Sequence, residues 1–225
     1  MSTFTTVICQ TKELYDYCVE AFDDGYRAQK RAKTYFEGAN DYMGHNVIVN
    51  TPDNVPSAPT EYIDDTFETT YPCDSSFTVS YDNLTYWWKD LVSCGLGESE
   101  DCDLLLTNSE DSNRGYAADS QYAVAEGGGH IANLPSSHDI YGCISQYDAM
   151  ETALHEFAHC VLEGGTDGFN EHAVGYTYDR GNDDTETMMT NETIGQENEC
   201  GEYVNEPNCF EMRWSDCCES KMKHT

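Results

Sequence analysis

The chain is 225 residues long, enough for one domain with a proper core and a small appended piece. Forty-two acidic residues stand against eleven basic ones, a formal net charge of −31, so nucleic acid and anionic membranes are set aside as partners. The longest apolar runs, such as Leu104 to Leu106, are far too short to cross a membrane, and the content of Tyr, Phe, Leu and Val is too high for a disordered acidic tail.

Residues 3 to 9, TFTTVIC, alternate and are β-branched, which predicts a strand. From Lys12 to about Glu37 the periodicity turns helical, with Leu14, Cys18, Ala21, Phe22 and Tyr26 along one face. The basic cluster Arg27, Lys30, Arg31 and Lys33 falls on this long helix and is expected to offset nearby carboxylates. HNVIVN at 45 to 50 is a short strand, ended by the proline-bearing loop TPDNVPSAPTEY. DNLTYWWKDLVSC at 82 to 94 predicts a helix behind an Asp or Asn cap, and DLLLTN at 103 to 108 a buried strand. GYAADSQYAVAEGGGHIANL, beginning at Gly115, reads as an irregular strand pair or an edge strand, broken by Gly127 to Gly129. YDAMETALHEFAHCVLEGG is a helix that stops at Gly164 and Gly165. Beyond about residue 180 the sequence is polar and studded with cysteine, so it needs staples more than a core. The predicted fold class is α+β: a small twisted mixed sheet packed to one side of two long helices, with a loop- and disulfide-rich C-terminal part. Residues 1–190 form the main domain in this reading, and 191–225 a cysteine-rich extension packed on it.

Eleven cysteines and no C-x-x-C pair point to disulfides in an oxidising, extracellular setting and away from a cysteine-built metal site. The number is odd, and Cys160, inside the last long helix, is the first candidate for the thiol left over. Asn83-Leu84-Thr85 and Asn191-Glu192-Thr193 match glycosylation sequons, a weak signal alone. The N-terminal MSTFTTVICQTKELYDYC lacks the basic start and apolar stretch of a secretion signal. A secreted or cell-surface protein whose signal has been removed fits, with the cytoplasm of a salt-accumulating cell as the alternative. The acidic excess is similar to that of halophilic proteins, because at 1 M salt the screening length shrinks to about 3 Å and the self-repulsion is damped.

The chemistry concentrates in HEFAHCVLEGGTDGFNEH, residues 155 to 172. His155 and His159 lie four apart on a helix and project from one face, so both imidazoles can meet one metal ion. Glu156 lies beside the pair, able to touch a water at the ion without being a ligand. Met150, Ala153, Leu154, Phe157, Val161 and Leu162 give the same helix an apolar side to bury. Of the other histidines, His130 and His138 are near enough in sequence to line a cleft, though a solvated loop position is the commoner fate; His45 and His224 read as surface residues. Tyr176 to Asp179 reads as packing rather than substrate contact.

The H-E-x-x-H motif resembles that of the zincin metalloproteases, and of the metzincin clan most of all. Metzincins place a glycine three residues after the second histidine and a third histidine three further on; Leu162 and Gly165 stand there instead. Three other residues are within reach as the third ligand. His172 is first, reached by a reversal at the paired glycines. Glu171 is second, since GFNEHAVGYTYD is similar to the glutamate helix of thermolysin-type proteases at a shorter separation. Asp167 is third, in a GTD similar to deuterolysin-like proteases, whose ligand sits one place later, at Gly168 here. TETMMTN resembles the clan's methionine turn, with Met188 or Met189 as its methionine, and Thr190 and Asn191 follow where some members keep a tyrosine.

The resemblance implies a Zn2+-dependent endopeptidase acting on a peptide or protein substrate, with Glu156 as general base and His155, His159 and a third residue holding the ion. It also implies an irregular edge strand ahead of the helix that takes the substrate backbone in extended form, and QYAVAEGGGHIANL is the stretch expected to do so. A monomer is expected, with neither nucleic acid nor membrane as a partner. The alternatives from other classes are a catalytically inactive zincin-like binding module and a cystine-rich surface protein.

Overall fold

A computed structural model describes residues 3–40, 46–96, 101–109, 114–119, 121–139, 141–143, 145–162, 177–179, 184–187, 209–214 and 216–222. Strand β1 (Thr3–Gln10) leads into helix α1 (Lys12–Phe22), which starts where the Thr11 hydroxyl accepts the Leu14 N–H at 3.2 Å. The helix stops at Asp23, left-handed at φ 56°, whose N–H bonds back to the Val19 carbonyl. A turn through Gly25 then opens α2 (Arg27–Asn40). The single long N-terminal helix is therefore two. Periodicity hides the break because both halves bury against the same sheet face, with Leu14, Cys18, Ala28 and Ala32 in one core. Ala21, expected on that face, is exposed.

Lys30 pairs with Asp24 at 2.7 Å and Lys33 with Glu37 at 3.0 Å, as the basic cluster suggests. Its arginines act differently. Arg27 and Arg31 donate their Nε protons to the carbonyls of Ala132 and Leu134, at 2.7 and 2.9 Å, and so tie α2 to a distant segment.

Strand β2 (Asn46–Asn50) and the proline-bearing loop precede a hairpin absent from the expected order, β3 (Phe67–Tyr71) and β4 (Asp74–Tyr81), although Phe77, Val79 and Tyr81 alternate as a strand should. Helix α3 (Leu84–Leu91) is capped by Asn83, whose Oδ1 accepts the N–H groups of Thr85 and Tyr86 at 3.0 and 3.4 Å. That occupies the first sequon's asparagine, and Thr85 is fully buried. Next come β5 (Cys102–Leu106), β6 (Gly115–Ala118), β7 (Tyr122–Ala125), the short α4 (Gly128–Ala132), β8 (Tyr141–Gly142) and α5 (Ser145–Val161). Strands β9 (Thr177–Asp179), β10 (Asp184–Thr187) and β11 (Cys209–Glu211) and helix α6 (Asp216–Ser220) complete the order. The fold is mixed α/β, with six helices among the described residues.

The main sheet runs β2-β1-β5-β7-β6, its first four strands parallel and β6 antiparallel at the edge. A second sheet runs β8-β11-β10-β9. The main sheet was expected to pack helices on one side only, yet both faces are covered. Phe4, Ile8, Leu104, Leu106, Ala123 and Ala125 point to the core shared with α1, α2, α4 and α5. Their neighbours Cys9, Leu105, Tyr122 and Val124 point the other way, onto Trp87 and Trp88 of α3 and onto Ile63. Period-two alternation with both sets apolar requires two covering layers.

Cys73–Cys94 joins the β3–β4 turn to the wide turn after α3, and Cys143–Cys209 joins the approach to α5 to β11. These bridges are compatible with an oxidising, extracellular setting. The described part of the C-terminal segment packs into the main core through Met212, Trp214, Cys218 and Met222. The Trp214 indole N–H donates to Asn40 Oδ1 at 3.1 Å, and its ring lies 6.2 Å from that of Phe157 on α5. Among the described residues no helix is long and apolar enough to cross a membrane.

Candidate metal centre

Helix α5 is held by its apolar stripe. Met150, Ala153, Leu154 and Phe157 are fully buried and Val161 and Leu162 nearly so; a buried side chain of the larger kind is worth about 1.5–3 kcal/mol. With that stripe fixed, the remaining face turns His155, Glu156 and His159 toward the β6 side of the sheet. The two histidines are half-buried and Glu156 is only 6% exposed. His155 Nε2 and His159 Nε2 lie 3.2 Å apart, and with a Glu156 carboxylate oxygen they form a group of donors all within 4.8 Å of one another. This group can hold a metal ion. Two imidazole nitrogens on one tetrahedral zinc, each about 2.05 Å from it, would be about 3.3 Å apart, so the spacing of the two Nε2 atoms suits one ion.

Glu151, one turn before His155, brings Oε1 to 3.8 Å from His155 Nδ1. At 3.8 Å the contact is electrostatic and not a hydrogen bond, and a carboxylate near the far nitrogen makes a ligating histidine a better donor. The same carboxylate adds repulsion at Glu156. Burial first, and Glu151's charge second, push the Glu156 carboxyl up to about 8. A cation between the histidines would oppose both effects and favour the carboxylate.

Glu156 rests against Gly115, the first residue of β6. A Cβ built at Gly115 would come within 2.2 Å of Glu156 Cγ and 2.5 Å of its Oε1. Any residue but glycine at 115 would occupy the seat of the carboxyl group.

The strand nearest the site is thus β6, and the expectation for QYAVAEGGGHIANL is corrected. Its strand portion, β7, is interior, paired on one side with β5 and on the other with β6, so its backbone cannot accept another strand. The remainder of that stretch includes α4. Residues 115–118 form the edge. The Arg114 carbonyl accepts the Glu126 N–H at 2.9 Å, which sets the phase of the antiparallel ladder. Alternation then directs the N–H and C=O groups of Gly115 and Ala117 away from β7.

His172, Glu171 and Asp167, the three candidates for a third ligand, lie outside the described residues, as do Met188 and Met189 of the methionine-turn expectation, Gly164 and Gly165, His45, His224 and the sequon at Asn191. His138 is structural. Its Nε2 lies 3.0 Å from the Met212 carbonyl, and its ring sits where a Cβ on Gly38 would go. His130 lines a separate cleft of about 400 Å³ with Tyr17, Asn108, Ser109, Gly129 and Asn133. Cys160 is outside both bridges and buried, with its thiol in hydrogen-bonding contact with that of Cys102. Residues 177–179 form β9. Sequence reasoning missed Glu151, Gly115 and the neighbours of β6. The i, i+4 spacing from Glu151 to His155 was readable; the contact of Gly115 with Glu156 is tertiary and was not.

No family model matches this chain, and no curated protein matches it.

Proposed function

We propose that the protein is a zinc-dependent peptidase, with His155 and His159 as two ligands of the ion and Glu156 as general base. The observation that carries this reading is the pair of Nε2 atoms 3.2 Å apart with a buried carboxylate beside them. Neutral imidazoles suit zinc among the common divalent ions, and Glu156 beside them is kept for proton transfer and not as a ligand. When bound, zinc supplies Lewis acidity that polarises a carbonyl and makes a water easier to deprotonate. Glu156 accepts the proton of the attacking water at a carboxylate oxygen and passes it to the departing amine nitrogen. Glu151 places its charge beside the His155 ring, and Gly115 leaves the space in which Glu156 sits. An extended substrate pairs with the outward groups of Gly115 and Ala117, as the zincin resemblance implies for an edge strand beside this helix. Among Asp167, Glu171 and His172, we keep His172 as the preferred third ligand. The acidic excess suits work in concentrated salt, outside the cell.

The test is metal content followed by turnover. After dialysis in strong salt the chain should retain one zinc and cleave a mixed peptide library. Glu156→Gln should keep the zinc and lose turnover by 10²-fold or more, on the order expected for a general base. Retained turnover removes Glu156 from the mechanism, and absence of stoichiometric zinc removes the enzyme.

A further inference from the structure

On strand β6 the residue after Gly115 is Tyr116, and alternation puts its side chain on the opposite face, toward α3. There it meets Tyr86 of α3, ring centroids 6.5 Å apart and tilted at 53°. The two phenols lie close enough that Tyr86 raises the Tyr116 phenol above its ordinary range, with Glu156 a lesser contributor. Thr85, next to Tyr86, is fully buried and directs its hydroxyl to the Tyr116 carbonyl at 3.4 Å, which fixes α3 against the strand. Yet Tyr86 and Tyr116 are 39% and 43% exposed, a sizeable aromatic surface on a chain with so large a negative charge.

The geometry points to a role for this pair, and the inference rests on the peptidase reading above. We infer that Tyr86 and Tyr116 form a subsite that selects a large apolar or aromatic side chain of the substrate, about one residue from the bond that is cut. The argument is one of register. A peptide bonded to the outward groups of Gly115 and Ala117 must place one residue opposite Tyr116. In a pleated ladder, directly opposite residues point to the same face. That substrate side chain therefore lies over the tyrosine rings, on the α3 side. Gly115 is one step away, about 3.3 Å along the strand, and it is the residue against which Glu156 rests. Ring faces and edges favour apolar and aromatic partners, and the neighbouring Asp119 is already paired with Lys89 of α3. Both tyrosines are half-exposed, so polar replacements leave the core untouched.

The experiment has two arms, both in strong salt on the full zinc-loaded chain. In the first, a positional-scanning peptide library measures kcat/KM for Phe, Leu, Gly and Asp at each position around the cleaved bond. One position next to that bond should favour Phe over Gly by about ten-fold, and Tyr86→Ser with Tyr116→Ser should bring this ratio to within two-fold. In the second, Glu156→Gln binds labelled peptides carrying Phe or Gly at each position in turn, read by fluorescence anisotropy. The Phe peptide should bind about ten-fold tighter at one position, with the advantage lost in the tyrosine variants. A ratio unchanged by the double substitution, or equal losses for Phe and Gly peptides, overturns the inference. Binding preference without any cleavage by the native chain overturns the peptidase reading and leaves the subsite standing.

Discussion

Replacing Gly115 with alanine adds one carbon atom where Glu156 now lies. The new methyl would stand 2.2 Å from Cγ and 2.5 Å from Oε1, against about 3.5–4.0 Å for relaxed contact. Something must move by more than 1 Å, on that comparison of contact distances. The strand is short and at the edge, but its partner β7 is interior and its Thr85 contact is buried, so the glutamate side chain is the softer element. A misplacement of about 1 Å costs roughly 10² in rate where a group must be aligned for proton transfer. The expected result is a kcat about 100-fold lower with KM within a few-fold, because the backbone groups of β6 still pair with substrate. Zinc content should stay at one per chain, since the three atoms nearest the new methyl all belong to Glu156 and not to a histidine. Steady-state kinetics and metal analysis in strong salt measure both quantities. A control separates local displacement from general damage: in a Glu156→Ala background, Gly115→Ala should cost nothing further, because the collision is gone. A kcat within two-fold of native, or equal losses in both backgrounds, refutes the seat.

Three other outcomes are expected. Glu61 accepts the Thr11 hydroxyl at 2.9 Å and the Asn108 N–H at 2.6 Å, but burial outweighs these bonds and lifts its carboxyl to about 7. A folded value above the unfolded one of about 4.3 means that its contribution is complete below that pH and lost as pH rises through 7, so Glu61→Gln should raise Tm at pH 8 and leave it unchanged at pH 4. Each kcal/mol gained corresponds to roughly 2–4 °C in thermal melts of a chain this size, and equal shifts at both pH values would count against burial as the cause. Trp214→Phe removes the donor to the buried Asn40 and should cost about 1–3 kcal/mol in denaturant titration; no change would mean that the C-terminal segment unfolds separately. Transfer from molar salt to dilute buffer should lower Tm steeply, given the net charge of −31, and circular dichroism across a salt series that stays flat would remove the halophilic reading.

The parts of this protein legible in sequence are those where one short stretch decides the matter. The apolar residues of α5 recur at helical spacing and all reach the core, so the same helix had to present His155 and His159 together. Strands β1, β2 and β5 were equally local. The β3–β4 hairpin was less so, because most of its residues are exposed and its apolar side is narrow; it stands by pairing, by Phe67, Val79 and Tyr81 packing on the α3 side of the core, and by the Cys73–Cys94 bridge. The break at Asp23 is not marked by the apolar period, which continues on both sides; its local sign is the Asp23-Asp24-Gly25 turn.

The strand order held the most consequential information, and periodicity does not carry it. Tyr122 to Ala125 are buried at all four positions, the mark of a strand covered on both faces, while Gly115 to Ala118 alternate between exposed and sheltered. That difference in burial makes 115–118 the open edge. It also gives the glycine a reason. At an ordinary edge position a glycine only weakens the strand. At 115 it leaves the volume that the Glu156 side chain fills, while the tyrosine after it turns its ring to the other face. A four-residue strand with little intrinsic preference for its conformation is thus held in place by what packs on either side of it, α5 through Glu156 and α3 through Thr85 and Tyr86.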